Sequence, residues 1–200
     1  MAFGVFASSS IAQITPQTPV FAEWQSKPAM HATPPQYVHE NAIMILQAER
    51  HEFVLENNEW MHYRTRHYIY KAGEQKSAAS INEVGYSLYT LTDSLKGCII
   101  KPNGTVIPLQ ASQYAYTVAQ NGMRTAHLAL KDLDKNAEVE LLIKDVTYEG
   151  FFNSVTVQQH MPVLHTTFQM SYPKQLSFSV KGYHGMPTTT EYLKKSKKLI

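Results

Sequence analysis

Residues 96–109 read Lys96-Gly97-Cys98-Ile99-Ile100-Lys101-Pro102-Asn103-Gly104-Thr105-Val106-Ile107-Pro108-Leu109, and this stretch is the strongest local structural signal in the chain. Two apolar, β-branched runs, at 98–100 and 105–107, flank a Pro-Asn-Gly turn. Pro102 sets φ near about −65°, and Asn103 and Gly104 tolerate positive φ, so the chain can reverse within a few residues. The stretch therefore predicts a β-hairpin, although it contains no chemical site.

The runs on either side of this hairpin also have the patterns of β-strands. Residues 42–55 and 60–70 predict a long antiparallel hairpin around a break at 56–59, and further strands or alternating runs follow at 77–86, 123–130, 137–148, 151–159, 164–172 and 175–181. Residues 111–122 are polar and rich in Tyr and Gln, which predicts a loop. The strand at 137–148 is apolar on both faces and is expected in the middle of its sheet. The chain is thus predicted to be all-β, an antiparallel β-sandwich of many short strands with long hairpins.

The composition is that of a folded domain without a strong charge preference. The chain has 200 residues, of which 44% are hydrophobic and 17% charged, which argues against a disordered chain or a charge-rich helical bundle. The formal net charge is +2, and the one basic run, at 194–198, is interpreted as a solvated linker or helix face. We therefore expect no nucleic-acid partner. No run approaches the roughly 20 apolar residues of a membrane helix, so we expect no membrane span.

The sequence divides into four segments. Residues 1–12 are apolar and small, and Ser10-Ile11-Ala12 fits the small-x-small pattern of signal cleavage, which predicts the remnant of an export signal; an apolar terminus without a signal is the alternative. Residues 13–40 carry five prolines and predict an extended lead-in. Residues 41–182 form the predicted β-sandwich, and 183–200 a linker towards a downstream domain. Export favours a periplasmic, cell-surface or secreted location.

Few residues suggest catalysis or metal binding. Cys98 is the only thiol and lies inside a predicted strand, which favours a buried structural role over a nucleophile. Two histidine pairs are each five residues apart, His62 with His67 and His160 with His165, so their side chains point to opposite faces of a strand. The sequence has no His-x-His pair and no His-Glu-x-x-His motif. We predict no catalytic residue, no metal ligand and no cofactor in this chain.

Aromatic side chains are the candidate for a binding surface. Trp60, Tyr68 and Tyr70 fall on one face of the strand predicted at 60–70. An exposed, coplanar set of such rings would bind a glycan or a peptide. The favoured interpretation is that these aromatic residues fill the core of the sandwich and pair across strands.

Four segments in order carry a resemblance to a known family. They are Asn41-Ala42-Ile43-Met44-Ile45-Leu46, the run from Trp60 to Tyr70 with the Gly73 turn after it, Ile100-Lys101-Pro102-Asn103-Gly104-Thr105, and Leu130-Lys131-Asp132-Leu133 leading into Val139-Glu140-Leu141. Pro162 and the later pair Tyr172-Pro173 stand where that family has its final hairpin. Over about 140 residues the chain resembles the domain of unknown function family 3857, the N-terminal β domain found before transglutaminase-like domains in bacterial exported proteins. One departure is Asp134-Lys135-Asn136, where the family turn usually contains Pro and Gly.

The resemblance implies a non-catalytic accessory β-sandwich that positions or regulates a transglutaminase-like (papain-type) domain of the same polypeptide. The catalytic Cys-His-Asp triad of such proteins belongs to that downstream domain, so no catalytic residue is transferred to this chain. The alternative is a self-contained glycan- or peptide-binding module, for which Trp60, Tyr68 and Tyr70 are the candidate residues. A third and weaker hypothesis is a free-standing cysteine enzyme that uses Cys98.

Overall fold

The computed structural model describes residues 30–73, 81, 86–88, 92–118, 120, 124–130, 133–148, 156 and 160–183. The predicted export-signal remnant at 1–12, nearly all of the strand predicted at 151–159 and nearly all of the linker at 183–200 lie outside the described residues. Within the described part the fold is all-β, as predicted. The same part of the chain has no helix that is both long enough and apolar enough to cross a membrane.

The described strands form one large and one small sheet. The strands are β1 (Ala42–Glu56), β2 (Glu59–Ala72), β3 (Tyr86–Leu88), β4 (Thr92–Ile100), β5 (Val106–Pro108), β6 (Tyr114–Val118), β7 (Arg124–Leu128), β8 (Glu138–Tyr148) and β9 (Val163–Ser171). The large sheet has the order β5-β4-β8-β2-β1-β9, and the small sheet has the order β3-β7-β6. Short 3-10 helices at Pro35–Tyr37 and Ala111–Gln113 precede β1 and β6. All neighbouring strands are antiparallel except β1 and β9, which run parallel.

The long β1–β2 hairpin is confirmed, and its turn explains its register. Asn57 and Asn58 have φ values of 48° and 67°, which is the pair of positive φ values that a type I′ turn requires. Asparagine tolerates this conformation better than most residues. Pairing then continues from Glu56 opposite Glu59 to the far end of the hairpin, with one irregularity between Met44 and Leu46.

The central hairpin is also confirmed. Ile100 pairs with Val106, and the Lys101 N–H donates to the Thr105 carbonyl at 2.8 Å. Gly104 has a φ of 82°, which glycine adopts without the penalty of a Cβ. The prediction that the strand at 137–148 is central is confirmed as well, because β8 lies between β4 and β2.

Three sequence-based predictions differ from the structure. β6 (Tyr114–Val118) lies where a loop was predicted, because an exposed edge strand needs no buried alternating face. Residues 175–181 alternate in polarity but form no strand; a turn precedes them, in which the Leu176 N–H donates to the Pro173 carbonyl. The parallel β1–β9 pair departs from a fully antiparallel sandwich, since β9 returns to the far edge of the sheet instead of pairing with β8.

The main core lies on one face of the large sheet, beneath the small sheet. It gathers residues from both sheets and from the segments between them, namely Ala42, Met44, Tyr68, Tyr70, Ala72, Ile81, Leu128, Leu130, Leu133, Ala137, Val139, Leu141, Ile143 and Met161. A smaller apolar cluster of Ile43, Ile45 and Ile69 has Tyr37 packed against it. Tyr37 belongs to the segment before β1, so this segment covers part of the sheet.

The N-terminal strap, defined as residues 30–41, is held to the sheet by backbone and side-chain contacts. The Gly73 N–H donates to the Asn41 carbonyl at 2.8 Å. A Cβ at Gly73 would lie 1.8 Å from the Glu40 carbonyl oxygen, so only glycine allows this approach. The described part of the predicted lead-in is therefore packed against the domain.

Candidate functional site

A buried polar cluster lies on the core-side face of the large sheet, at the end nearer the β1–β2 turn. Residues that pair directly across strands share a face, and the register places Glu49 opposite Arg66, and His51 opposite Arg64. On the next strand, Asp145 lies opposite Arg64. The polar cluster comprises Gln47, Glu49, His51, His62, Arg64, Arg66, Tyr68 and Asp145. Nearly all of these side chains are buried, and His51 is only 1% exposed.

Asp145 is the anionic centre of the cluster. The Arg64 guanidinium donates to Asp145 through Nη2 at 2.6 Å and through Nε at 3.1 and 3.2 Å. Arg66 Nη2 donates to the other carboxylate oxygen at 3.2 Å. Burial would lower the pKa of Arg64, but the hydrogen bonds and charge of Asp145 outweigh burial and raise it. Two cations therefore share one carboxylate, which leaves one positive charge to be balanced.

Glu49 provides the balancing negative charge. The Tyr68 hydroxyl donates to Glu49 Oε1 at 2.8 Å, and His51 Nε2 lies 3.5 Å from Oε2. Burial alone would raise the pKa of Glu49, but the interactions with His51, Tyr68 and the Arg66 charge together lower it. Burial and the Glu49 charge raise the pKa of Tyr68. With Glu49 ionised, the arginines and carboxylates of the cluster cancel when both histidines are neutral.

The two histidines form a directly hydrogen-bonded pair. His51 Nδ1 and His62 Nε2 are 2.9 Å apart, so one nitrogen must carry the hydrogen and the other must accept it. The Glu49 carboxylate beside His51 Nε2 favours a hydrogen on that nitrogen, which leaves His51 Nδ1 as the acceptor for the His62 Nε2–H. Burial, followed by the charges of His51 and Arg64, lowers the pKa of His62 to about 4, although Asp145 acts in the opposite direction. His62 is thus neutral at neutral pH.

Aromatic rings enclose the histidine pair. The His62 ring stacks on Phe53 with centroids 4.4 Å apart and an interplanar angle of 10°. Phe168 of β9 lies 5.0 Å from the His51 ring, and Phe178 stacks on the other side of Phe53 at 4.7 Å. Phe178 lies after the last strand, so this part of the chain closes the end of the polar cluster.

A second buried ion pair joins the N-terminal strap to the opposite face of the sheet. Lys71 Nζ lies 3.0 Å from Glu138 Oε1, and their side chains are 5% and 0% exposed. The His31 backbone N–H and Nδ1 lie 2.8 and 2.9 Å from the two Glu138 oxygens, and Lys71 Nζ donates to the His31 carbonyl at 2.6 Å. Burial alone would raise the pKa of Glu138, but the hydrogen bonds from His31 and Lys71 lower it. This ion pair therefore fastens the strap.

The candidate aromatic residues do not form an exposed platform. Tyr70 is fully buried and Tyr68 is 8% exposed, and their rings meet edge to face, 6.3 Å apart, in the core. Trp60 is half-buried near the β1–β2 turn. The burial of Tyr68 and Tyr70 agrees with the favoured interpretation that these aromatic residues fill the core. Ligand binding at Trp60 remains a prediction.

Cys98 occupies the structural position that its sequence context predicted. The residue is 4% exposed within β4. Burial, with a smaller effect from the Glu140 charge, raises the pKa of the thiol to about 12. A thiol with this pKa is almost entirely protonated at neutral pH and is a poor nucleophile.

In the described residues, the buried charges of the polar cluster compensate one another, and the two histidines form a hydrogen-bonded pair. This arrangement is not typical of a site where ligands bind and leave. Among them, no group of three or more His, Cys, Asp or Glu side chains is placed to hold a metal ion. The sequence reading did not identify the polar cluster. The sequence pattern that could have predicted it is the alternation that places His62, Arg64 and Arg66 on the same strand face as Tyr70. If that face is in the core, these charged side chains must have buried partners.

The described strands make a two-sheet all-β domain, and solved structures share this fold. One is a protein from Parabacteroides distasonis, provisionally described as a protease, with a TM-score of 0.55 and 12% identity. The match covers 68% of this chain but only 29% of that protein. No curated protein matches the sequence significantly.

Residues 61–199 match DUF3857, a domain of unknown function with solved structures. This match covers more than half of the chain, so the chain belongs to that family. The resemblance drawn from the sequence motifs is therefore confirmed, and the first of the four motif segments, before residue 61, lies outside the matched range.

Proposed function

We propose that this chain is a non-catalytic accessory domain that positions or regulates a transglutaminase-like (papain-type) domain of the same polypeptide. The observation that carries the proposal is the partial match to a much longer protein. The shared fold accounts for only 29% of a protein provisionally described as a protease. In that protein, most of the chain lies outside the region that this fold covers, which leaves room for a separate catalytic domain.

The chemistry of the described residues favours a non-catalytic, accessory role. The ionised side chains of the polar cluster are paired with one another, as Arg64 and Arg66 are with Asp145. The only thiol is buried and has a raised pKa. Groups that hydrolyse or transfer acyl chains need an accessible nucleophile with a base beside it, and Cys98 is not accessible, because it is buried in its strand.

We place the protein outside the cytoplasm, in the periplasm, at the cell surface or secreted. The support is the small, apolar segment at 1–12 with its small-x-small pattern. Fractionation of the source cells, followed by immunoblotting with an antibody against this domain, tests both location and size. We expect a band in the envelope fraction much larger than the 22.7 kDa of this chain.

A band of 22.7 kDa would contradict the accessory role, because the domain would then act alone. If the native protein is larger, the decisive comparison is between the whole protein and a variant that lacks residues 41–182. Hydrolysis or transamidation of a glutamine-containing peptide should require the downstream domain and should fall when the β domain is removed. Unchanged activity after removal would show that the β domain neither positions nor regulates the catalytic domain.

The glycan- or peptide-binding alternative receives less support, since two of its three candidate rings are buried. Trp60 is the residue that still tests it. The test is a glycan array probed with the wild-type domain and with Trp60→Ala. Binding by the wild type that is lost in Trp60→Ala would support the alternative. Trp60→Phe is the matched control, because it keeps an aromatic ring at the same position.

A further inference from the structure

The chain leaves the last strand through a segment that is held to the domain by side chains rather than by a sheet. We call residues 172–183 the exit segment. It contains a turn in which the Leu176 N–H donates to the Pro173 carbonyl at 3.0 Å, and no strand. Leu176 and Phe178 are half-buried, whereas Val180 and Tyr183 are 56% and 66% exposed. Phe178 is therefore one of the main anchors of this segment.

Phe178 is one end of a continuous stack that reaches the buried histidine pair. It lies 4.7 Å from Phe53, Phe53 lies 4.4 Å from His62, and His62 lies 5.0 Å from His51. Interplanar angles of 27° and 10° make the Phe178–Phe53 and Phe53–His62 contacts stacked ones, whereas the His62 and His51 rings meet edge to edge through their hydrogen bond. Tyr172 also contacts Phe178, with centroids 4.9 Å apart. The exit segment thus contacts a row of rings that leads through Phe53 to the two histidines.

A proton added to the histidine pair has no good place in this arrangement. In the neutral pair the His62 Nε2–H fills the space between the rings. A second hydrogen on His62 must enter at its Nδ1. This places a cation in a site enclosed by rings, where desolvation is costly. Stacking on Phe53 offsets part of this cost.

The charges around His62 come from three strands. Arg64 and Arg66 lie on its own strand and disfavour a further cation, Glu49 and His51 lie on β1, and Asp145 lies on β8. Phe168 and Met170 of β9 face the same side without ionisable groups, and the exit segment contributes Tyr172. The two carboxylates are already paired with the arginines and with Tyr68. Glu49 also lies beside His51 and Asp145 favours a charge on His62, but burial and the charges of His51 and Arg64 outweigh the effect of Asp145 on His62.

We propose that protonation of His62 releases the exit segment, so that docking of Phe178 is coupled to the proton occupancy of this histidine. The segment is the part of the stack that can move, because β1, β2 and β8 are held by continuous sheet hydrogen bonds and the segment is not. The pKa of His62, lowered to about 4, places the release in the acid range. The coupling involves only this chain's own residues and stands whether or not a catalytic domain follows.

Coupling of this kind is reciprocal. If proton uptake weakens docking of Phe178, then loss of Phe178 must make proton uptake easier. The variant Phe178→Ala is suited to this test, since it shortens one half-buried side chain outside the sheets. Val180→Ala is the matched control, because it lies on the same segment but is exposed.

The experiment follows the whole chain by three readouts between about pH 7 and pH 3. Nuclear magnetic resonance of 13C-labelled histidine gives the titration of His62, and the chemical shifts of the Phe178 ring protons report its stacking on Phe53. We expect the Phe178 ring signals to move towards their unstacked positions over the same pH interval in which His62 titrates, while hydrogen exchange shows that the amides of β2 and β8 stay protected. We expect Phe178→Ala to raise the pKa of His62 by about half to one unit, and Val180→Ala to leave it unchanged.

Three outcomes would overturn the proposal. One is a Phe178 ring whose chemical shifts do not change while His62 titrates. Another is an equal His62 titration in Phe178→Ala, Val180→Ala and the wild type. The third is loss of protection in β2 and β8 over the same interval, which would be acid unfolding of the whole domain. None of these bears on the size or location of the native protein, so a failure here is distinct from a failure of the proposed accessory role.

Discussion

Glu138 and Lys71 form a buried ion pair outside the polar cluster, and this pair should contribute to the stability of the fold. Removing one partner of a buried ion pair leaves the other charge uncompensated, which costs about 3–5 kcal/mol. We expect Glu138→Gln to lower the free energy of unfolding by about this amount at pH 7. The exposed pair of Lys101 with Asp134, 3.6 Å apart, provides the control. Asp134→Asn should cost less than about 1 kcal/mol, as measured by urea denaturation.

The effect of Glu138 should also depend on pH. Its pKa is lowered in the folded state from an ordinary value of 4.5, so the unfolded chain binds the proton more readily. The stabilisation is complete above the ordinary value and is lost as the pH falls through the folded value. The difference in stability between wild type and Glu138→Gln should therefore shrink in acid. A constant difference from neutral to strongly acidic pH would contradict this assignment of the charge.

Cys98 gives a chemical test at the same scale. Burial raises its pKa from 9.0 to about 12, and the thiolate is the reactive form. We expect alkylation by iodoacetamide in the folded protein at pH 8 to be at least about 100-fold slower than in the denatured chain. Mass spectrometry of the intact protein measures this rate. Rapid labelling of the folded protein would reopen the hypothesis of a cysteine enzyme.

At the scale of single elements, the β1–β2 turn is the clearest case of local control. Asn58 has a φ of 67°, a conformation that costs most residues with a Cβ roughly 1–2 kcal/mol. Asn58→Ala should lower the free energy of unfolding by about 1 kcal/mol, whereas Asn58→Gly should leave it unchanged or raise it slightly. Thermal unfolding followed by circular dichroism distinguishes them. Equal destabilisation by both substitutions would mean that the Asn58 side chain, rather than its backbone, stabilises the turn.

Local turn chemistry explains why both hairpins could be predicted and the parallel pair could not. Pro102, Asn103 and Gly104 specify one reversal, and Asn57 with Asn58 specify the other, so each depends on neighbours in sequence. The β1–β9 pair joins strands more than 100 residues apart, and no local pattern encodes such a contact. The edge strand β6 was missed for a related reason: its mostly exposed residues have no alternation to detect.

The polar cluster was predictable only in part. Counting outward from the two-residue turn places Glu49 opposite Arg66 and His51 opposite Arg64, so seven of the eight residues of the cluster follow from one hairpin. Asp145 could not be added, because the β2–β8 register is set by packing between distant segments. Sequence alternation grouped Trp60, Tyr68 and Tyr70 correctly on one face, but it could not show that the small sheet covers that face.

At the scale of the whole molecule, the question is where the folded unit begins. The sequence places the β-sandwich at 41–182 and a lead-in before it. In the structure, His31 contacts Glu138, and Tyr37 packs on the cluster of Ile43, Ile45 and Ile69. The strap therefore covers both a buried ion pair and an apolar patch. Those groups would be exposed to water without it.

We therefore expect a fragment of residues 41–200 to be less stable than one of residues 30–200 by about 2–4 kcal/mol, because it loses the hydrogen bonds to a buried charge and the cover of an apolar cluster. Urea denaturation of both fragments measures the difference. In the longer fragment, His31→Ala and Tyr37→Ala separate the two contributions, and Val38→Ala, at an exposed position, is the control. Equal stability of the two fragments would mean that the sandwich folds without the strap, and the folded unit would then begin at residue 41, as the sequence predicts.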